Sequence, residues 1–136
     1  MLTGCSRTVA MSDPTPDAAA AGICTTLMAA LPAQVLDEDR RHVAPGVFSA
    51  AWGDPTITLR CGAPKPPSMN AGSPCFEVNS VGWFAEQAKG GYLFTTIGRA
   101  AYVEVGVPDA YSPEANALVD LADAIKASVP VRTPCL

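Results

Sequence analysis

Apolar and polar residues alternate over two stretches of the chain, and that period of two predicts strands. From Thr56 to Cys61, Ile57, Leu59 and Cys61 share one face, while Thr56, Thr58 and Arg60 share the other. From Ala101 to Val107, the residues Ala101, Val103, Val105 and Val107 point one way, and Tyr102 and Glu104 the other. Phe48 to Trp52 reads as a further strand, joined through the turn Gly53-Asp54-Pro55 into a hairpin with the first stretch. Phe76 to Gln87 is strand-like with breaks at Asn79 and Gly82, Lys89-Gly90-Gly91 turns the chain, and Tyr92 to Ile97 is β-rich.

Two segments carry the helical period instead. Ile23, Leu27 and Leu31 form one stripe, with Cys24 and Met28 beside it. Leu118, Leu121, Ala122, Ile125 and Val129 form another, with Asp120, Asp123 and Lys126 on its wet side. Thr15-Pro16-Asp17 and Ser112-Pro113-Glu114 offer an N-cap hydroxyl, a proline at the first helical position and an acid facing the dipole. Pro32 and Pro130 close the two helices, and Val35 to Arg41 is expected as a short helical turn. The pattern predicts an α+β domain: an N-terminal helix, about five antiparallel strands and a C-terminal helix, with both helices on one sheet face.

The N-terminus carries a different kind of signal. Leu2-Thr3-Gly4-Cys5 reads as a lipobox, where a bacterial signal peptide is cut and the new N-terminal cysteine receives diacylglycerol and a palmitate-type acyl chain. An apolar h-region of roughly 7–15 residues must precede such a site, so this reading expects a translation start upstream of Met1. Ser6 to Pro16 is rich in Ser, Thr, Pro and Asp, the composition of a flexible tether. The chain thus divides into a lipobox and tether, 1–16, and a single domain, 17–136. No apolar run approaches the roughly 20 residues of a membrane-spanning helix, which leaves the lipid on Cys5 as the anchor.

Charge narrows the partners. The formal net charge is −4 and no basic cluster stands out, so a nucleic-acid footprint is missing and docking to anionic lipid is disfavoured. Setting Cys5 aside leaves Cys24, Cys61, Cys75 and Cys135, an even number that predicts two disulfides in an exported domain. Three pairings are open. Loop closure favours Cys61–Cys75 across the Pro/Gly-rich segment 62–74, with Cys24–Cys135 pinning the C-terminus. The alternative is four buried free thiols in a cytosolic protein. Metal-ligand spacing is absent, with no C-x-x-C and one His, and no cofactor is expected.

Ala51-Trp52-Gly53-Asp54-Pro55 running into Ile57-Thr58-Leu59-Arg60-Cys61-Gly62 is one distinctive block. Thr95-Thr96-Ile97-Gly98-Arg99 running into Tyr102-Val103-Glu104-Val105 and Val107-Pro108 is the other. Together they make the chain resemble the domain-of-unknown-function family 3515 over nearly all of residues 20–130. The resemblance implies a secreted lipoprotein of a high-GC Gram-positive bacterium, and it implies no activity or catalytic residue.

The candidate polar and aromatic positions are Arg60, Arg99, Glu104, Tyr102, Asp54 and Trp52. Alternation puts Arg60 and Glu104 on the non-core face, where neighbouring strands would pair them as a cross-strand ion pair. That face, with Thr56, Thr58, Tyr102 and Phe94, could instead receive an anionic or sugar-containing ligand. Asp54 is expected to cap its turn, Trp52 and Trp83 to fill the core, and His42 to be solvated within the charged run Asp37 to His42. Phosphate-loop and nucleophile motifs are missing. The expected function is a non-enzymatic binding or accessory module for an envelope protein or cell-wall component, held on the outer face of the cytoplasmic membrane. The runner-up is a small envelope enzyme acting on a wall precursor, with Asp54 or Glu104 as acid or base. A concave site gathering Asp54, Arg60, Arg99 and Glu104 would favour catalysis or ligand binding, and a paired Arg60 and Glu104 would favour binding to protein.

Overall fold

The computed structural model describes residues 7–135, so the lipobox with Cys5 lies outside the described residues. In chain order the elements are β1 (Val9–Met11), α1 (Ala18–Ala30), β2 (Gln34–Val35), β3 (Glu38–Arg41), β4 (Val43–Pro45), β5 (Ser49–Trp52) and β6 (Ile57–Cys61). They continue with β7 (Phe76–Val78), β8 (Val81–Ala88), β9 (Gly91–Thr96), β10 (Val103–Pro108) and α2 (Ala117–Ser128). The architecture is α+β, with the two helices packed together and on an eight-stranded antiparallel sheet of order β2-β3-β5-β6-β10-β9-β8-β7. Strand β1 pairs in parallel with β4 as a separate two-stranded ribbon.

Period-two alternation sorts the sheet into two faces. On the helix side, Trp52, Ile57, Leu59, Cys61, Val103 and Val105 are fully or almost fully buried. They join Leu27 of α1 and Leu118, Leu121 and Ile125 of α2 in one core. Register confirms the face assignment: Leu59 stands opposite Val105 and Ala50, whereas Arg60 stands opposite Glu104 and Ser49. The expected hairpin of β5 and β6 is present, with Trp52 paired to Ile57.

The sheet has more strands than the sequence pattern predicts because two short hairpins hide in weakly patterned segments. Val35 to Arg41 is not a helical turn. Leu36 and Asp37 both adopt positive φ, and the chain reverses between β2 and β3. Buried Val35 anchors this edge from the core side, and the Asp120 carboxylate accepts the Leu36 N–H at 2.8 Å. Phe76 to Gln87 is likewise two strands. Asn79 and Ser80 take positive φ as a two-residue turn, with Val78 opposite Val81.

Both helices begin later than their proline signals predict. Asp17 caps α1, its carboxylate accepting the Ala20 N–H at 2.8 Å, while Pro16 lies outside the helix against Gly62. At the second helix the Ser112 hydroxyl turns back to donate to the Asp109 carbonyl, and no side-chain hydrogen bond caps the turn that follows. A 3₁₀ turn over Glu114–Asn116 then leads into α2.

The four core-domain cysteines form two disulfides, paired as Cys24–Cys61 and Cys75–Cys135 rather than Cys61–Cys75 and Cys24–Cys135. Sheet order is the reason. Four strand spacings separate β6 from β7, roughly 19 Å, whereas disulfide-bonded Cα atoms lie within about 7 Å. Cys24 on the buried stripe of α1 sits over Cys61 at a Cα separation of 5.5 Å. The C-terminal tail runs back along the sheet end, with Arg132 and Thr133 N–H groups donating to the Gly98 carbonyl, and brings Cys135 to Cys75. Two disulfides point to an extracytoplasmic location. Among the described residues no helix is long and apolar enough to cross a membrane.

The segment expected as a tether is partly built into the fold. Val9 to Met11 forms β1, and Met11 is buried. Beyond it, Asp13 accepts the N–H groups of Val47 and Phe48 and the hydroxyl of Ser49.

Candidate functional site

The outward face of the sheet is the candidate surface, and the chain covers most of it. Ser12 offers its carbonyl to Arg60 Nε at 3.1 Å, so the N-terminal arm closes over β6. On β8, the Ser68 hydroxyl donates to Glu86 at 2.6 Å and ties segment 62–74 to the outward side. Phe84 and Thr95 there are buried, as is Met69 of that segment.

Between these two covers a groove of about 240 Å³ stays open. Thr56 of the β5–β6 turn, Thr58 of β6, Leu93 of β9 and Gly106 of β10 line it, with Lys89 beside them. Gly106 makes the depth. It faces outward opposite Thr58 and Leu93, and a Cβ added there would lie 2.8 Å from Thr58 Oγ1. A glycine inside a strand often marks the close approach of a ligand or another backbone. The lining combines hydroxyls and a cation with one apolar wall, which suits hydrogen bonding to a polar or anionic group. It contains no Asp, Glu or His, so it holds no carboxylate or imidazole for general acid–base chemistry.

The residues singled out in the sequence do not converge. Arg60 and Glu104 face each other across β6 and β10 as expected, with nitrogen and oxygen 3.8 Å apart. Asp54 sits exposed in the β5–β6 turn, at one end of the sheet. Arg99 sits in the β9–β10 connection, at the opposite end. Its guanidinium donates to the carbonyls of Val129 at 2.6 Å and Ser80 at 3.2 Å, and burial lowers its pKa. Trp52 belongs to the core and donates its indole N–H to the Pro32 carbonyl at 3.1 Å. Tyr102 offers its backbone carbonyl to the N–H groups of Gly62 and Ala63.

Phe94 is not on the outward face. It is buried on the helix side, edge-on to Phe76 and Trp83 and stacked with Tyr92, because β9 pairs it with Val105. His42 is exposed, as expected. Near Asp54, the Tyr111 hydroxyl donates to the Pro55 carbonyl. Burial, with the charges of Glu38 and Asp54, raises the phenol's pKa. Among the described residues no group of His, Cys, Asp and Glu is arranged to hold a metal ion.

Sequence reasoning missed two features that left readable traces. Gly106 interrupts the alternation of Val103 to Val107 on the outward side, the sign of a strand that must admit something close. Asp13 precedes Pro14 in a segment read as a flexible tether, yet its carboxylate organises the bend before β5. Burial pulls that carboxyl upward. Hydrogen bonds from Val47, Ser49 and Phe48, with the charge of Arg60, outweigh burial and hold it below the ordinary carboxylate value.

The family described as "Protein of unknown function (DUF3515)" matches residues 4–134. No curated protein and no solved structure matches the chain.

Proposed function

The chain belongs to the DUF3515 family, and on that premise we propose an exported domain, lipid-anchored through Cys5 to the outer face of the cytoplasmic membrane. It acts there as a non-enzymatic binding or accessory module for an envelope protein or cell-wall component. Its ligand surface is the groove over Gly106. The observation that carries the reading is the contrast between the two sets of polar groups. Arg60, Glu104 and Arg99 are spent on contacts within the fold. The groove sets the Thr58 hydroxyl over a floor without a side chain, with the exposed residue Lys89 beside it, while the Thr56 hydroxyl in its wall accepts from Arg41.

Two experiments test the two halves. Metabolic labelling with an alkyne-bearing palmitate, in cells expressing the gene from its native start, should tag the protein and fail on Cys5→Ser. An untagged wild-type protein would end the lipid-anchor reading. A photo-crosslinking residue at Thr58 should capture a discrete product in intact membranes, whereas one at exposed Asp123 on α2 should not. Adding Gly106→Ala to the Thr58 probe should cut that yield at least roughly tenfold, because the methyl group occupies the floor of the groove. Equal yields at both positions, no product at Thr58, or indifference to Gly106→Ala would overturn the binding groove.

A further inference from the structure

The Cys75–Cys135 bond lies open on one side and bare on the other. Both cysteines are half-buried and line a cavity of about 500 Å³ together with Pro74, Ile97, Gly98 and Pro134. Behind the bond is Gly82 of β8, where an added Cβ would stand 2.5 Å from Cys135 Sγ and 2.9 Å from Cys75 Sγ. The sulfurs thus rest against backbone, and the cavity is the approach for a reagent. Cys135 also lines a smaller cavity of about 40 Å³ beside Arg99 and Glu77.

The bond joins two segments that are held very differently. The tail is fixed without it: Ala100 donates to the Pro130 carbonyl at 2.8 Å, and Arg132 and Thr133 donate to the Gly98 carbonyl at 2.7 and 2.9 Å. The Arg99 guanidinium adds its bond to Val129. Segment 64–74 has little else. Among the described residues one hydrogen bond leaves it, from Ser68 to Glu86, and Met69 is its single buried side chain. Its other hydrogen bonds are internal, from Met69 to Pro66 and within the turn 70–73. Beneath this strap Phe84, two residues before Glu86 on the same outward face, is buried outside the helix-side core. Thr95 stands opposite Phe84, 1% exposed, and its hydroxyl has no partner among the described residues. A buried hydroxyl without a partner disfavours the closed arrangement, and opening to water relieves it.

We propose that Cys75–Cys135 is a thiol-exchange site for an extracytoplasmic dithiol protein, and that its reduction unclamps strap 64–74 from the outward sheet face. The partner's thiolate attacks Cys135 Sγ, the sulfur that lines both cavities. A mixed disulfide forms, the bond to Cys75 breaks, and Cys75 leaves as a thiolate that takes a proton from water. The partner's second thiolate then attacks the mixed disulfide and releases Cys135, which is protonated in turn. The chain gains two electrons and two protons, and the partner's dithiol becomes a disulfide. The tail keeps its place, whereas the strap loses the tie at its C-terminal end and bares Met69 and Phe84. This site is independent of the Gly106 groove and of a lipid on Cys5.

Two measurements test the site and its consequence. The oxidised full chain, with Cys5 alkylated beforehand, is mixed with a thioredoxin whose resolving cysteine is replaced by serine, which traps the mixed disulfide. Peptide mapping should place the link at Cys135 and leave Cys24–Cys61 intact. No trapped product, or a link at Cys24 or Cys61, would overturn the exchange site. Oxidation of methionines by hydrogen peroxide is then compared between wild type and the double variant Cys75→Ser/Cys135→Ser. Met69 should oxidise about fivefold faster in the variant through local opening, while Met11 keeps its rate. The two are buried alike in the closed protein, at 5% and 4% exposure. Unchanged oxidation of Met69, or equal acceleration at Met11, would show a general staple and overturn the release of the strap.

Discussion

Asp13 satisfies three donors with one carboxylate, and this fixes where the N-terminal arm joins the sheet. Its lowered pKa has a definite consequence. A carboxyl whose folded pKa lies below its unfolded value near 3.8 contributes stability that is complete above that value. The contribution is lost as pH falls through the depressed folded value. Resistance of the wild type to urea should therefore fall on acidification below about pH 4, and Asp13→Asn should remove part of that dependence. At neutral pH the same substitution should cost about 1–3 kcal/mol, because hydrogen bonds to a charged acceptor are replaced by weaker ones and an NH₂ group faces N–H donors. Gly98 is a second residue with a single solution. It holds a φ of +79°, and a Cβ there would collide with the Thr133 carbonyl. Gly98→Ala should lower stability by roughly 2 kcal/mol and speed amide exchange in the tail, the strain and the collision adding to each other.

At the scale of elements, the two disulfides differ in what surrounds them. Cys24 and Cys61 are wholly buried between α1 and β6. Cys75 and Cys135 are only half-buried and line an open groove of about 500 Å³ at the sheet end. Loop-closure entropy assigns each bond about 4 kcal/mol, so it does not separate them, whereas access does. Under graded reductant in native buffer, alkylation and peptide mapping should find Cys75 and Cys135 labelled well before Cys24 and Cys61. Simultaneous labelling would show that access does not control reduction here. The tail should stay near Arg99 after that first reduction, because Ala100, Arg132, Thr133 and the Arg99 guanidinium bond across the junction independently of sulfur.

For the whole molecule, one core joins both helices to the sheet, and the Cys24–Cys61 bond lies within it. Intact mass should rise by two hydrogens per disulfide on full reduction under denaturing conditions and remain unchanged without reductant. Free thiols in protein isolated from its native host, other than Cys5, would contradict the extracytoplasmic location that the bonds indicate. Which surfaces are available is also settled at this scale. The N-terminal arm and segment 62–74 close over most of the outward sheet face and leave the Gly106 groove, while the arm's own path delivers Arg7 to Arg41.

Strong periodicity made much of this legible in the chain itself. The stripe Leu118, Leu121, Ala122, Ile125 identifies α2, and the alternation of β6 and β10 identifies both faces and the pairing of Arg60 with Glu104. Local pattern works there because each side chain answers to one neighbouring surface. It failed for the hairpins β2–β3 and β7–β8, because β2, β3 and β7 are short and the first half of β8 is buried on both faces, so that no period shows, and it failed for the disulfide pairing. It failed too for the N-terminal arm, whose polar residues bond to distant backbone rather than to water. By itself the sequence determined the class of fold, the two helix faces, the central strands and the family. Only the tertiary structure decided which cysteines meet, which part of the sheet stays open and where the chain departs toward Cys5. Those outcomes depend on strand order and on contacts between segments far apart in sequence, and no local spacing encodes them.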